Sequence, residues 1–170
     1  GDFVLTGQFL DFTKNRVNTF YEGGDRPVAH VDVTDPYSPE LRDIVESAAK
    51  SLGLTVHNGG TYVCTEGPRF QSPAEIRMYA MLGGQTVGMT NVPEVTLANE
   101  AEMAYMTISM VTNYAAGISE SALTHGEVVD MMQQMAEQLQ SLVKEVIKGI
   151  DVNADYPAHH RMAEYGGFQL

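Results

Sequence analysis

Short apolar, β-branched runs alternate with capped helical periods along this chain, and that alternation constrains its fold more than any other feature. Residues 3–10 (FVLTGQFL) read as a strand that runs out into the polar stretch 11–16, and residues 22–27 (EGGDRP) as a turn-rich surface loop. Ser38 is a good N-cap with Pro39 at the first helical position. Leu41, Ile44, Val45, Ala48, Ala49 and Leu52 follow at helical spacing, and Gly53 ends the helix. Residues 54–57 predict a short strand, and Thr61–Thr65 (TYVCT), after a Gly59-Gly60 turn, a second. Ser72-Pro73-Ala74-Glu75 is a capping box that opens a helix ending near Gly83-Gly84. Residues 86–89 (TVGM) predict a buried strand. Asn91 is expected to cap a helix with Pro93 in its first turn, running to about Glu102. Residues 104–111 (AYMTISMV) predict a long apolar strand. Thr124 and Glu127 form another capping box, behind which Val128, Met131, Met132, Met135, Leu139, Leu142, Val143, Val146 and Ile150 keep the 3.6-residue period, with Gly149 as the stop.

This pattern specifies an α/β fold, a layered mixed β-sheet flanked by helices. The 170 residues suit one domain, residues 1–170, of which 151–170 read as a polar, partly exposed tail. One feature is awkward: the first element already looks like an interior strand, with nothing before it to cover its neighbours, whereas parallel sheets need both faces covered. Charge narrows the partners. Ten basic residues stand against 22 acidic ones, for a net charge of −12, which argues against nucleic acid or an anionic membrane surface. No apolar run approaches the ~20 residues of a membrane span. The single cysteine, Cys64, cannot form an internal disulfide and points to a reducing, cytoplasmic setting. The chain begins at Gly1 without a methionine, as a processed protein or a piece of a longer one would.

Three stretches put unusual chemistry where strands end. In residues 60–70 (GTYVCTEGPRF) a strand runs into Gly67-Pro68 and delivers Phe70 to the C-terminal edge of the sheet, where open α/β sheets bind ligands. A turn with a packed phenylalanine is the plainer alternative. In residues 87–94 (VGMTNVPE) Met89 and Thr90 sit where a strand meets a helix N-terminus, a setting that favours an anion. Thr90 and Asn91 could instead be simple caps. In residues 109–117 (SMVTNYAAG) an amide, Asn113, follows a strand end and could both donate and accept toward a heterocycle edge, or be an ordinary turn residue.

In this order and spacing, these stretches resemble family II of the purine nucleoside phosphorylases, which includes methylthioadenosine phosphorylase. The resemblance begins at GDFVL with Gln8-Phe9 and Asp11. It passes through AHVD (residues 29–32) and PYSPELR (36–42) and runs to about Ile150. It also accounts for the awkward first strand. Family members carry a segment before GDFVL that holds a glycine-rich phosphate loop, an Arg-His motif and the loop beneath the ribose, so this sequence looks like the C-terminal part of a phosphorylase subunit.

The resemblance implies cleavage of a purine nucleoside by inorganic phosphate, a co-substrate, to free base and ribose 1-phosphate, without metal or organic cofactor. His159-His160 is read as a surface pair in the tail, without a carboxylate partner at metal-ligand spacing. By the match, Thr90 hydrogen-bonds phosphate, Met89 packs against ribose and Phe70 on the purine, and Asn113 is the catalytic, base-reading residue. Adenine-type members have Asp there and a second Asp two residues on; Asn113 and Ala115 replace both, and an amide that donates to O6 or N7 suits a 6-oxopurine, inosine or guanosine. His125 falls where 6-oxopurine enzymes contact the ribose 5′-hydroxyl, unless it is a plain surface residue. Gln71 replaces the Glu that reads the N1–H and 2-amino edge in many such members, which leaves inosine versus guanosine open. His30 matches a position that reaches the neighbouring subunit's site, or is a strand-end histidine without ligand contact. The family's usual assembly is a trimer, so the implied partners are purine nucleoside, phosphate and further copies of the chain, together with a separate N-terminal segment if one is supplied. A methylthioinosine or methylthioadenosine phosphorylase and a non-catalytic fragment are the alternatives.

Overall fold

The computed structural model describes residues 1–119 and 124–168. Its strands form two three-stranded sheets. In the first, β1 (Phe3–Leu5) is central, parallel to β3 (Val56–Asn58) and antiparallel to β6 (Ile108–Met110). In the second, β4 (Thr61–Thr65) is central and parallel to both β2 (Gln8–Phe12) and β5 (Gly84–Gly88).

The expected strand 3–10 is thus two strands in different sheets. The break falls at Thr6-Gly7. The Thr6 N–H leaves with β6, bonding Thr107 O, while the Gly7 and Gln8 N–H groups both turn to Gly60 O. Gly7 suits the crossing because a Cβ there would stand 3.0 Å from the Arg42 guanidinium and 3.5 Å from Gly59 Cα. The expected strand 104–111 shrinks to β6, because its partner β1 offers only three residues to pair with. Residue 105 bonds elsewhere, the Tyr105 carbonyl accepting the Ser38 N–H. β3 and β5 each lie about two residues from their expected positions, whereas β4 has the expected bounds.

Helices α1 (Pro39–Ser51), α2 (Pro73–Met81) and α4 (His125–Gly149) start where their caps place them. Ser38 Oγ accepts the Leu41 N–H, and the Ser72/Glu75 and Thr124/Glu127 boxes are both closed. α3 is different. It spans only Glu94–Glu100, with Pro93 at the N-cap and no side-chain cap bond. Asn91 does not cap it. That residue takes φ +81° and spends its side chain on the core, donating to Tyr37 Oη at 2.6 Å and accepting from Thr107 Oγ1 at 2.9 Å.

Three apolar clusters hold the layers. β1 (Phe3, Leu5), α1 (Val45, Ala48, Ala49) and α4 (Met135, Leu142) share one. β4 divides its side chains by the strand period: Tyr62 and Cys64 pack with Tyr37, Val92 and Val95, while Val63 faces Ile76 and Tyr79 of α2. Each fully buried Val, Leu, Met or Phe side chain in these clusters contributes on the order of 1.5–3 kcal/mol. After α4 the chain folds back. Ala158 and Met162 are buried, Glu102 accepts the Met162 and Phe168 N–H groups, and Arg161 donates to the carbonyls of Asp32 and Asp35.

Candidate active site

The parallel strands β4 and β5 end side by side, and the chain leaving each is tied to the other. Thr65 Oγ1 donates to Gly88 O at 3.2 Å, so its one proton is spent and it can only accept from Gln71 Nε2, at 2.8 Å. The result is a polarised chain, Gln71 to Thr65 to Gly88, in which the Gln71 carbonyl oxygen has no hydrogen-bond partner among the described residues and can accept. Gly67, at φ +71°, lets Met89 press against the chain; a Cβ there would lie 2.5 Å from Met89 Sδ. Gly88 makes room for the Tyr62 phenol, which a Cβ would meet at 1.9 Å. Through that gap Tyr62 Oη reaches Thr90 Oγ1 at 3.4 Å.

Thr90 is exposed, but its backbone is held from beneath. The Cys64 thiol donates to Thr90 O at 2.8 Å. Burial raises the pKa of both Cys64 and Tyr62, which keeps the thiol and the phenol neutral and able to donate. Arg16, from the loop after β2, donates to Met89 O at 2.8 Å, to Thr65 O at 3.3 Å and to Val92 O, and its Nε pairs with Glu66 at 3.6 Å. Sequence reading missed Arg16, Tyr62 and Glu100. Buried Glu100 accepts from Thr19 Oγ1 at 2.6 Å and the Phe20 N–H at 2.7 Å and so anchors the segment after Arg16. Their partners lie 28 to 81 residues away in sequence, and no local signature reports such contacts. Thr90, by contrast, does not sit on a helix N-terminus. α3 begins four residues later, at Glu94.

Asn113 and Ala115 lie on the loop after β6. With Thr112 and Tyr114 they form one wall of a cavity of about 360 Å³, whose other wall is the Glu127, Asp130, Met131 and Gln134 side of α4. Among the described residues the Asn113 amide bonds only to its neighbours: Oδ1 accepts from Thr112 Oγ1 at 2.6 Å and Nδ2 donates to Tyr114 O at 2.8 Å. A second amide hydrogen remains for a ligand. The loop closes on α2 at Gly117, φ +80°, where a Cβ would lie 2.7 Å from Pro73 Cβ. The Asn113 loop therefore meets the segment carrying Phe70 and Gln71 at the start of α2. Phe70 is itself 43% exposed.

His125 is the exposed first residue of α4, two positions before Glu127 on the cavity wall. His30 is exposed on the segment before α1, where its N–H donates to Tyr165 Oη at 3.1 Å. The His159-His160 pair does have a carboxylate: Asp155 Oδ1 stands 2.7 Å from His160 Nε2 and 3.7 Å from His159 Nδ1. Among the described residues no group of three or more His, Cys, Asp or Glu side chains is placed to hold a metal, and no helix is long and apolar enough to cross a membrane.

The sequence pattern of the phosphorylase superfamily matches residues 1–148. The chain belongs to the phosphorylase superfamily. It is 52% identical over 165 residues to a probable 6-oxopurine nucleoside phosphorylase of Dictyoglomus turgidum, covering 97% of this chain and 62% of the relative. It is 55% identical over 148 residues to the 6-oxopurine nucleoside phosphorylase of Pyrococcus furiosus, covering 84% of this chain and 56% of the relative. Among solved structures it superimposes on a methylthioadenosine phosphorylase from an Antarctic soil metagenomic library with a TM-score of 0.87 at 34% identity, covering 96% of this chain and 58% of the other. The chain thus spans less than two thirds of the length of these relatives. The matched superfamily stretch contains both groups of site residues, the β4–β5 ends and the Asn113 loop.

Proposed function

We propose that this chain carries phosphate, ribose and base contacts of a 6-oxopurine nucleoside phosphorylase. In that reaction a phosphate oxygen bonds to C1′ of the ribose while the C1′–N9 bond breaks, and the bond's electron pair leaves with the purine. Little covalent chemistry is asked of the protein. Its task is to place phosphate and sugar in line and to stabilise the departing anion. Thr90 takes the phosphate and Met89 packs on the ribose. Phe70 lies against the purine, and the free amide hydrogen of Asn113 donates to O6 or N7 as negative charge grows there. Gln71 offers its carbonyl oxygen to the N1–H of a 6-oxopurine. Adenine has a bare N1 acceptor at that place and would face the same oxygen without a proton between them. His125 contacts the 5′-hydroxyl, and His30 reaches a neighbouring copy of the chain in a cytoplasmic homotrimer. Phosphate enters as co-substrate, with no metal or organic cofactor.

The observation that carries the base assignment is Asn113, an amide with a spare donor on a cavity wall, where adenine-type enzymes would need a carboxylate. The names of the two 6-oxopurine relatives favour the same reading. A methylthioinosine or methylthioadenosine phosphorylase is the second reading. The name of the solved neighbour favours it, and the polar His125 speaks against it.

The test is phosphate-dependent release of ribose 1-phosphate from inosine. It is run on the chain alone and on the complete phosphorylase, meaning this chain together with the portion of its relatives that it does not match. Turnover is expected from the complete phosphorylase and not from the chain alone, because residues on the unmatched portion complete the phosphate and ribose site. No turnover from either would leave a chain that binds or assembles without catalysing.

A further inference from the structure

Arg16 brackets Thr90. It leaves the loop after β2 with its side chain 21% exposed and places Nη2 on Met89 O, one residue before Thr90, and Nη1 on Val92 O, two residues after it. The same guanidinium reaches back to Thr65 O, and Glu66 grips it at Nε. Glu66 is fixed in turn by the Lys14 N–H at 3.0 Å. The intervening Thr90 carbonyl is taken by Cys64 and the Asn91 side chain by Tyr37 and Thr107. Carbonyls 89, 90 and 92 are thus all drawn toward the β4 side of the turn.

Two of those three carbonyls depend on one side chain. Only a planar fork can serve Met89 O, Val92 O and a carboxylate together; an ammonium on a flexible stem keeps the charge but loses that geometry. We propose that Arg16 is the positioning residue for Thr90. It cross-links the ends of β4 and β5 and fixes the Met89–Val92 turn, so that the Thr90 hydroxyl stands ready before an anion arrives. The inference rests on the reading of Thr90 as the phosphate contact, and its test separates the two.

In the complete phosphorylase, Arg16→Gln, Arg16→Lys, Thr90→Val and the Arg16→Gln/Thr90→Val pair are compared by steady-state kinetics and by amide hydrogen exchange. Arg16→Gln is expected to raise the phosphate KM by about tenfold or more, in proportion to the loss of a charged hydrogen bond, with a smaller change in nucleoside KM. Arg16→Lys should resemble Arg16→Gln rather than the wild type. The double variant should be little worse than Thr90→Val alone, since both changes remove the same contact. Exchange should speed up at amides 88–92 and stay unchanged in α1 and α4, which separates a loosened turn from a damaged fold. Wild-type phosphate KM in Arg16→Lys, additive losses in the pair, or unchanged exchange at 88–92 would each overturn the proposal. If Thr90→Val leaves the phosphate KM unmoved, the phosphate reading of Thr90 fails, and the positioning of the turn by Arg16 stands or falls on the exchange result.

Discussion

The turn that carries Met89 and Thr90 and the loop that carries Asn113 and Ala115 are supported in different ways. The first is tied to distant chain. Arg16 holds it across 73 residues, Tyr62 across 28 and Cys64 across 26. In the second, the loop backbone packs on α2 through Ala115, Ala116 and Gly117, but the base-facing side chain is held only locally: among the described residues the Asn113 amide bonds Thr112 and Tyr114 alone, and it fronts an open cavity. The difference fits two kinds of ligand. A compact anion gains from donors fixed before it binds, because their reorganisation would otherwise subtract from the binding energy. A purine base is large and flat, and a loop with spare donor capacity beside a cavity can adjust to it.

The largest effect should come from the loosely held side. Asn113→Ala removes a donor to the leaving base, and kcat for inosine should fall by ~10²–10³. A fall below threefold would make Asn113 a turn residue and erase the contrast. Next comes the tightly held side. Thr90→Val should raise the phosphate KM by roughly ten- to a hundredfold while the nucleoside KM changes far less. Equal changes in both constants would mean that the hydroxyl only shapes the turn.

These two regions also differ in how readable they were in the sequence. The caps of α1, α2 and α4 are local hydrogen bonds, so Ser38, Ser72 and Thr124 marked the helix starts correctly. TYVCT marked β4 because a β-branched and aromatic run needs little outside help. Where a distant partner decides, local pattern misled. Nothing in FVLTGQFL signals that Gly60 O, some fifty residues on, claims the Gly7 and Gln8 N–H groups and splits the strand. Asn91 has the composition of a cap, yet Tyr37 and Thr107 draw its side chain inward. Arg16 looked like part of a polar run because every group it holds is remote. The sequence singled out Thr90, Met89 and Asn113 as candidates, and Gln71 through the family resemblance, but not the side chains that hold the first two in place.

The smallest effect concerns the start of α2, where the two regions meet. The Arg69 guanidinium beside Glu75, helped by the Ser72 N–H, lowers the Glu75 pKa from 4.5 to about 2. A depressed carboxyl pKa adds stability above the unfolded value near 4.5, and that stability is lost as pH falls toward 2. Glu75 is half-buried but its partner Arg69 is exposed, so solvent screening keeps the effect modest. Glu75→Gln should lower Tm slightly at pH 7, and the gap to wild type should shrink below pH 4.5 and close as pH falls to about 2. A gap that widens on acidification would contradict the assigned cause.

The central claim of the proposed function is that an amide at residue 113 sets the base accepted by the complete phosphorylase. It is tested most directly by kcat/KM for inosine and adenosine, at saturating phosphate, on the complete wild-type phosphorylase and its Asn113→Asp variant. The wild type should prefer inosine. The carboxylate, repelled by O6 and N7 but able to accept from a 6-amino group, should lower the inosine-to-adenosine ratio by about an order of magnitude or more. A wild type that already prefers adenosine, or a ratio that the substitution leaves unchanged, would contradict the account.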